Sequence, residues 1–251
     1  MIRSLTAVFA HPDDESVTCG ATLARYAADG VRTSVVLATK GEVGEIASPD
    51  MASPETLGEI RAAEAERAID ILGVHALHFL GYRDGEVDRA DRVEVTDKLL
   101  EIFEAERPDA VITFGVVGYF EHPDHARIGM LATEAFHRYR SHAPAARLYY
   151  PAMPRELLRQ AMKVAQDRGL GSFEIDPDRF GIPDEQITTR VDTAAFSRQK
   201  VDALLAHRTQ MANTPFAQGP RDLIEAFFSA EFYVRAWPPP APGEEEDGLF
   251  G

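Results

Sequence analysis

The chain is organised around a short apolar run, residues 5–10, that stops abruptly at a histidine, a proline and three acids. This pattern predicts a buried strand whose C-terminal end presents the side chains of His11, Asp13 and Asp14. In open α/β sheets, ligands bind outside the carboxyl ends of the strands. The run therefore favours a sheet with a ligand site at this edge.

Apolar runs and amphipathic patterns alternate over the first 150 residues. The predicted strands are residues 5–10, 32–39, 76–80, 109–114 and 147–150. The predicted helices between them are residues 15–29, 54–73, 93–106 and 126–140. Such alternation implies right-handed crossovers and a mostly parallel sheet with helices on both faces. We predict an α/β, Rossmann-like fold with a strand order of about 3-2-1-4-5.

The alternation weakens after residue 150. We predict residues 1–150 as a Rossmann-like metal-binding core and residues 151–237 as a smaller C-terminal cap of the same domain. Residues 238–251 are rich in proline and acids, which predicts a disordered acidic tail. Within the cap, helical patterns cover residues 156–168, 193–207 and 222–230, and residues 187–191 form a predicted strand.

A second polar cluster, His122-Pro123-Asp124-His125, ends the loop predicted over residues 115–125, after the fourth strand. In the order 3-2-1-4-5, strands one and four are neighbours at the point where the order reverses. We therefore expect the two clusters to meet over one crevice. A single His-Pro-Asp triplet is usually only a turn, but two of them after two neighbouring strands favour a site.

The two clusters contain the residue types of a catalytic zinc site, which takes three protein ligands and keeps one position open. His11, Asp14 and His125 supply two imidazoles and one carboxylate. Asp13 is then free to act on the bound water as general base, and His122 to stabilise the oxyanion. The same ligands suit Fe(II), Co(II) or Mn(II), so the identity of the metal stays open.

Two further groups have simpler interpretations. Asp124, between the two histidines, is placed to orient an imidazole as an outer carboxylate. Arg61 and Glu64 lie three residues apart on a predicted helix, which predicts a surface ion pair.

The charge and cysteine content of the chain limit the kinds of partner and cellular compartment that are expected. Lys and Arg number 26 against 41 Asp and Glu, a net charge of −15, which argues against a nucleic-acid partner. Cys19 is the single cysteine, so an internal disulfide is excluded and a reducing cytoplasm is expected. We expect no signal peptide and no membrane span, because each apolar run is short.

At these residues the chain resembles the LmbE-like, or PIG-L, metal-dependent N-deacetylases, which include deacetylases and amidases of mycothiol and bacillithiol metabolism. The resemblance covers residues 4–212. Its matching segments are AHPDDE at 10–15, Arg61-x-x-Glu64, LGYRD at 80–84, HPDH at 122–125, and Lys200 followed by HRTQ at 207–210.

The resemblance implies that His11, Asp14 and His125 bind zinc, that Asp13 is the general base and that His122 helps to stabilise the oxyanion. It also places a wider set near the substrate or behind the ligands. This set is Asp124, Arg61, Glu64, Tyr82, Asp84, Tyr119 and His207.

The chain departs from the family pattern just before HPDH. Relatives often have glycine at the position of Glu121, and some have tyrosine where this chain has Phe120. Tyr119 lies one residue too early to match that tyrosine, so its assistance in catalysis is open. Glu121 adds a negative charge that is expected to alter the substrate.

These observations lead to three hypotheses of function. The first is a metal-dependent hydrolase that removes the N-acetyl group of an amino sugar or glycoconjugate. The second is an amidase acting on larger thiol conjugates of the mycothiol type, and the third is a metal- or sugar-binding protein without turnover. A nucleotide-binding Rossmann protein is disfavoured, because no G-x-G-x-x-G follows the first strand.

The sequence does not identify the natural substrate. We expect loops 41–54, 81–92 and 172–190 to set specificity. The expected partner is a small N-acetylated sugar or glycoconjugate, and a homo-oligomer is an open alternative to a monomer.

Overall fold

A seven-stranded sheet runs through the protein in the order β3-β2-β1-β4-β5-β7-β6. The computed structural model describes residues 2–115, 122–169 and 176–250. The strands are β1 Ser4–Phe9, β2 Arg32–Leu37, β3 Ala76–Phe79, β4 Ala110–Thr113, β5 Arg147–Ala152, β6 Thr189–Asp192 and β7 Ala230–Trp237. The first five are parallel, which confirms the predicted class and the order 3-2-1-4-5.

Helices connect and cover the strands. They are α1 Asp14–Ala28, α2 Leu57–Leu72, α3 Arg92–Glu106, α4 Pro123–Tyr139, α5 Arg155–Asp167, α6 Pro177–Phe180, α7 Ser197–Ala206, α8 Arg208–Met211, α9 Pro215–Gln218 and α10 Arg221–Phe227. Short 3₁₀ turns lie at Val87–Arg89 and Asp184–Gln186. Among the described helices, none combines the length and apolar character that crossing a bilayer would need.

β1 is the central strand of the parallel part of the sheet. All six of its residues are buried, as expected for a strand covered by helices on both faces. It pairs with β2 on one side and with β4 on the other. β1 ends at Phe9, so His11 emerges where the strand order reverses.

The second polar cluster lies at the start of α4. This helix begins at Pro123, three residues before the predicted start, so the loop assignment for residues 123–125 was wrong. Proline is well suited to the first helical position, and the His122 side chain caps the helix by accepting a hydrogen bond from the Asp124 backbone N–H. His125 therefore lies in the first helical turn.

The C-terminal part of the chain extends the same sheet. β7, which the sequence interpretation did not include, lies antiparallel between β5 and β6. Its outward and inward residues alternate in burial, as in a strand with one covered face. The division into core and cap stays a prediction.

Residues 238–245 are mostly exposed, whereas residues 246–250 contact the body of the protein. Leu249 is fully buried, and its backbone N–H and C=O bond to the hydroxyls of Tyr26 and Tyr149. Glu246 forms ion pairs with Arg147 and Arg235. The composition of the segment is that of a disordered tail, but one apolar residue and one carboxylate find buried partners.

Candidate active site

The imidazoles of His11 and His125 meet at the carboxyl edge of the sheet. Nδ1 of His11 lies 3.1 Å from Nε2 of His125, and both residues are buried. The His125 ring stacks on Phe114, just beyond β4, with ring centroids 4.3 Å apart. The predicted convergence of the two clusters is therefore observed.

Asp14 joins the two histidines. Its Oδ1 lies 3.4 Å from Nε2 of His125, and its Oδ2 lies 3.7 Å from Nδ1 of His11. The backbone N–H groups of Ala10 and His11 donate to Oδ2 at 3.2 and 2.8 Å. The three side chains predicted as metal ligands thus lie together, and the turn that follows β1 fixes the Asp14 carboxylate.

Two more carboxylates approach the other side of the His11 ring. Its Nε2 lies 3.0 Å from Oδ1 of Asp84 and 3.4 Å from Oδ2 of Asp124. Burial would lower the pKa of His11, but hydrogen bonds to Asp124 and Asp84 and the charge of Asp14 outweigh it and raise that pKa to about 10. The site is therefore strongly attractive to positive charge.

The donor set fits a divalent cation. Within the described residues, two groups have ligand atoms that all lie within 4.8 Å of one another: His11 with His122 and His125, and His11 with Asp84 and Asp124. Oδ1 of Asp124 is buried without a hydrogen-bond partner among the residues that the structure describes. Imidazole and carboxylate together suit Zn²⁺ and related divalent ions.

Asp13 contacts Arg61. Its Oδ2 lies 3.3 Å from Nη2 of Arg61, and its side chain remains 19% exposed, so solvent reaches it. Burial raises the pKa of Asp13 to about 6, although the Arg61 guanidinium opposes this shift. A carboxylate that solvent reaches, and that follows the turn of His11 and precedes Asp14, has the chemistry of a general base.

Arg61 and Glu64 do not form the predicted surface ion pair. Both are buried, and each contacts a different segment. Arg61 donates to the carbonyls of Gly41 and Pro12, at 2.9 and 2.6 Å, and thereby holds the loop after β2 against the turn of Asp13. The helical spacing was read correctly, but this face of α2 lies inside the protein.

Glu64 holds the C-terminal segment. Its two carboxylate oxygens accept the backbone N–H of Thr209 at 3.0 Å and the Thr209 hydroxyl at 2.6 Å. Gln210 in turn donates to the carbonyl of Glu45. The motifs around residues 61–64 and 207–210 therefore brace one another next to the site.

His122 stands beside both candidate imidazole ligands. Its ring centroid lies 4.7 Å from that of His11 and 5.0 Å from that of His125. Burial lowers the pKa of His122, and the neighbouring His11 and His125 lower it further. Since Nδ1 accepts the Asp124 N–H, the neutral ring carries its proton on Nε2, where it can be donated.

Four further residues were predicted near the site: Asp84, Asp124, Tyr82 and Tyr119. Asp84 and Asp124 touch His11, as described above. Tyr82 is not brought to the histidines by its described contacts, since its hydroxyl donates to Glu94 and its ring lies beneath Lys98. Tyr119 lies outside the described residues.

Glu15 was given no role from the sequence, yet it is fully buried beside the site. Its Oε1 lies 2.8 Å from Nε2 of His207, which is also fully buried. Burial would raise the pKa of Glu15, but His207 outweighs it and the pKa lies below its usual value. Glu15 and His207 therefore stabilise each other in this buried position. The sequence pattern that could have indicated a role for Glu15 is its place as the third consecutive acid after a buried strand.

Comparisons with known proteins match the chain to one family. The model of the PIG-L family, described as GlcNAc-PI de-N-acetylase, matches residues 6–136. The 1D-myo-inositol 2-acetamido-2-deoxy-alpha-D-glucopyranoside deacetylase of Acidothermus cellulolyticus is 36% identical over 279 residues, covering 100% of this chain and 95% of that protein.

Solved structures share the fold. N,N'-diacetylchitobiose deacetylase of Pyrococcus horikoshii superposes with a TM-score of 0.65 at 23% identity, over 96% of this chain and 84% of that chain. The 4-carboxy-2-hydroxymuconate hydratase of Pseudomonas putida gives a TM-score of 0.67 at 20% identity, over 96% and 98%. Since one architecture serves a deacetylase and a hydratase, the fold alone does not define the reaction.

A mostly parallel sheet with buried imidazoles and carboxylates at its reversal point defines a Rossmann-like protein with a group of side chains that could hold a metal ion. Within that class, the chain belongs to the PIG-L family of GlcNAc-PI de-N-acetylases. It is a deacetylase, an enzyme that hydrolyses an N-acetyl amide.

Proposed function

We propose that the protein is a metal-dependent deacetylase whose substrate is an N-acetylglucosaminyl conjugate of the inositol type. The observation that carries the proposal is the meeting of His11, Asp14 and His125 beside a solvent-accessible Asp13. The substrate class is supported by the relative from Acidothermus cellulolyticus, which acts on an acetamido-glucopyranoside of inositol and aligns with the whole chain.

His11, Asp14 and His125 would hold the metal, which we propose to be Zn²⁺. A divalent ion bound there would lower the pKa of water and polarise the amide carbonyl. Asp84 and Asp124 lie on the other nitrogen of His11 and would fix the orientation of its ring.

The chain's own groups then account for the proton movements. Asp13 removes a proton from the attacking water as the water oxygen bonds to the amide carbon. His122 donates a hydrogen bond from Nε2–H, without losing the proton, to the oxygen of the tetrahedral centre, on which negative charge develops. Asp13 returns its proton to the nitrogen as the C–N bond breaks, so that acetate and a free amine leave.

The direct test is release of acetate and amine by purified, Zn²⁺-supplemented protein. A panel would compare N-acetylglucosaminyl inositol, free N-acetylglucosamine and a bulky thiol-conjugate amide. We expect the highest kcat/KM on the inositol conjugate. Hydrolysis of the thiol-conjugate amide alone would instead assign the protein as an amidase. Stoichiometric metal without hydrolysis of any amide would refute the proposed activity.

A further inference from the structure

The backbone of Asp13 is held in an unusual conformation. Its φ of 110° lies in the region that side chains other than glycine rarely adopt. Asp13 directly precedes α1, which starts at Asp14, and it has no side-chain capping bond to that helix. The conformation is therefore maintained by other contacts.

One of these contacts comes from Glu15. Its Oε2 accepts the Asp13 backbone N–H at 3.1 Å. Its Oε1 accepts the Ser16 hydroxyl at 2.7 Å and pairs with Nε2 of His207 at 2.8 Å. The carboxylate of Glu15 therefore joins the strained peptide to a histidine that is 192 positions further along the chain.

The conformation separates the two neighbouring acids. Asp14 turns to His11 and His125, whereas Asp13 turns to Arg61. A return of Asp13 to an ordinary negative φ would swing its side chain relative to Asp14. The distance between the base and the water on which it acts would then change, and a displacement of about 1 Å lowers a rate about 100-fold.

We propose that Glu15 and His207 are positioning residues, which hold the Asp13 backbone in its strained conformation and so aim its carboxylate at the reacting water. This inference rests on the proposed deacetylase function and adds to it. It assigns a role in the reaction to the segment after α7, which supplies His207. Neither residue needs to touch the substrate.

The first test is Glu15→Gln. The glutamine amide has one acceptor oxygen in place of two. It therefore cannot accept hydrogen bonds from both the Asp13 backbone N–H and the His207 Nε2–H. We expect kcat to fall about 10- to 100-fold, with KM within about twofold and Zn²⁺ content unchanged.

Glu231→Gln is the matched control. Glu231 is also a buried carboxylate that accepts backbone N–H groups of α1, those of Ala21 and Thr22, and it pairs with buried Lys200. We expect a comparable loss of thermal stability but a kcat within about twofold of the parent, measured where both variants are folded. Equal kcat losses in the two variants would overturn the proposal.

His207 gives the second test. His207→Gln keeps an N–H donor for Glu15, whereas His207→Ala leaves that carboxylate unpaired. We expect His207→Ala to lower kcat as Glu15→Gln does, and His207→Gln to restore at least part of it. Equal activities of the two His207 variants would refute a positioning role. If His207→Ala does not fold, Glu15→Gln and its control decide.

Failure of this inference is distinguishable from failure of the proposed function. A parent enzyme without acetate release would refute the function itself. A parent that releases acetate, together with a Glu15→Gln variant of equal kcat, would refute only the positioning role.

Discussion

Nδ1 of His11 and Nε2 of His125 lie 3.1 Å apart, although 114 positions separate the two residues in the chain. One imidazole follows β1, and the other lies in the first turn of α4. Their meeting therefore depends on β1 and β4 being neighbours in the sheet. A site assembled in this way is present only in the folded protein.

The imidazole of His125 is expected to be needed for metal retention. His125→Ala removes one of the three proposed ligands, so Zn²⁺ content after dialysis should fall to a small fraction of one equivalent, and acetate release should fall with it. Elemental analysis of the purified variant measures the loss. His142→Ala, at an exposed histidine, is the control and should keep its metal. Full metal content in His125→Ala would contradict the ligand assignment.

Asp13→Asn tests the general base. The amide is similar in size but cannot take a proton, so kcat should fall by a factor of about 10² to 10⁴. Zn²⁺ content should stay near that of the parent, because Asp13 contacts Arg61 rather than the imidazoles. Asp97→Asn, on the surface of α3, provides a control of the same chemistry. Turnover at the parent rate would remove Asp13 from the mechanism.

Gly129→Ala tests the packing that places α4 on the sheet. A Cβ at this position would overlap the carbonyl oxygen of Phe114, which belongs to the backbone and cannot move aside without shifting the chain. We expect a loss of about 1–3 kcal/mol in the free energy of unfolding, measured by denaturant titration. Gly20→Ala, where the new Cβ meets its neighbours at 3.4 Å or more, should cost less. Equal effects would argue against the close approach.

Glu106 is expected to make stability depend on pH. Burial would raise its pKa, but Arg32 and His78, at 2.9 and 3.0 Å, lower it below the ordinary 4.5. A lowered folded-state pKa adds stability above pH 4.5, and this stability is lost as the pH falls through the folded-state value. Glu106→Gln should therefore cost about 1 kcal/mol at pH 7, since Arg32 is partly exposed, and progressively less below pH 4.5. A cost independent of pH would refute this.

Leu249→Ala tests whether the last residues belong to the core. The side chain is fully buried, so its truncation should destabilise the protein by about 2–5 kcal/mol, seen as a lower denaturant midpoint. Val93→Ala, at an exposed apolar position, should change stability by less than about 0.5 kcal/mol. A neutral Leu249→Ala would support the disordered tail expected from composition.

Periodicity predicted the parallel part of the sheet well, because each of its strands is a short apolar run between helices. β7 was missed because residues 230–237 mix charged, aromatic and small side chains, and their alternation follows a predicted helix without a break. The packing of the last residues, around Leu249, was missed for a related reason. The burial of one leucine among prolines and acids is a tertiary effect that composition does not carry.

The site shows the same division. The meeting of the two His-Pro-Asp clusters could be predicted from the sequence, because the predicted strand order places them side by side. The surface ion pair predicted for Glu64 was wrong. A charged residue on a helix is usually exposed, and only the fold shows that Thr209 covers this one. Tyr82 was included by resemblance to a family segment, and its orientation depends on packing against α3.

The position of β7 has a consequence for how the molecule is made. This strand fills the gap between β5 and β6, although it comes last of the seven along the chain. Until residue 237 has left the ribosome, β5 has an open edge available to other chains, and Glu231 is not yet in place beneath α1. The sheet can therefore close only after residues 230–237 have been made, and a nascent chain halted earlier exposes this edge to aggregation.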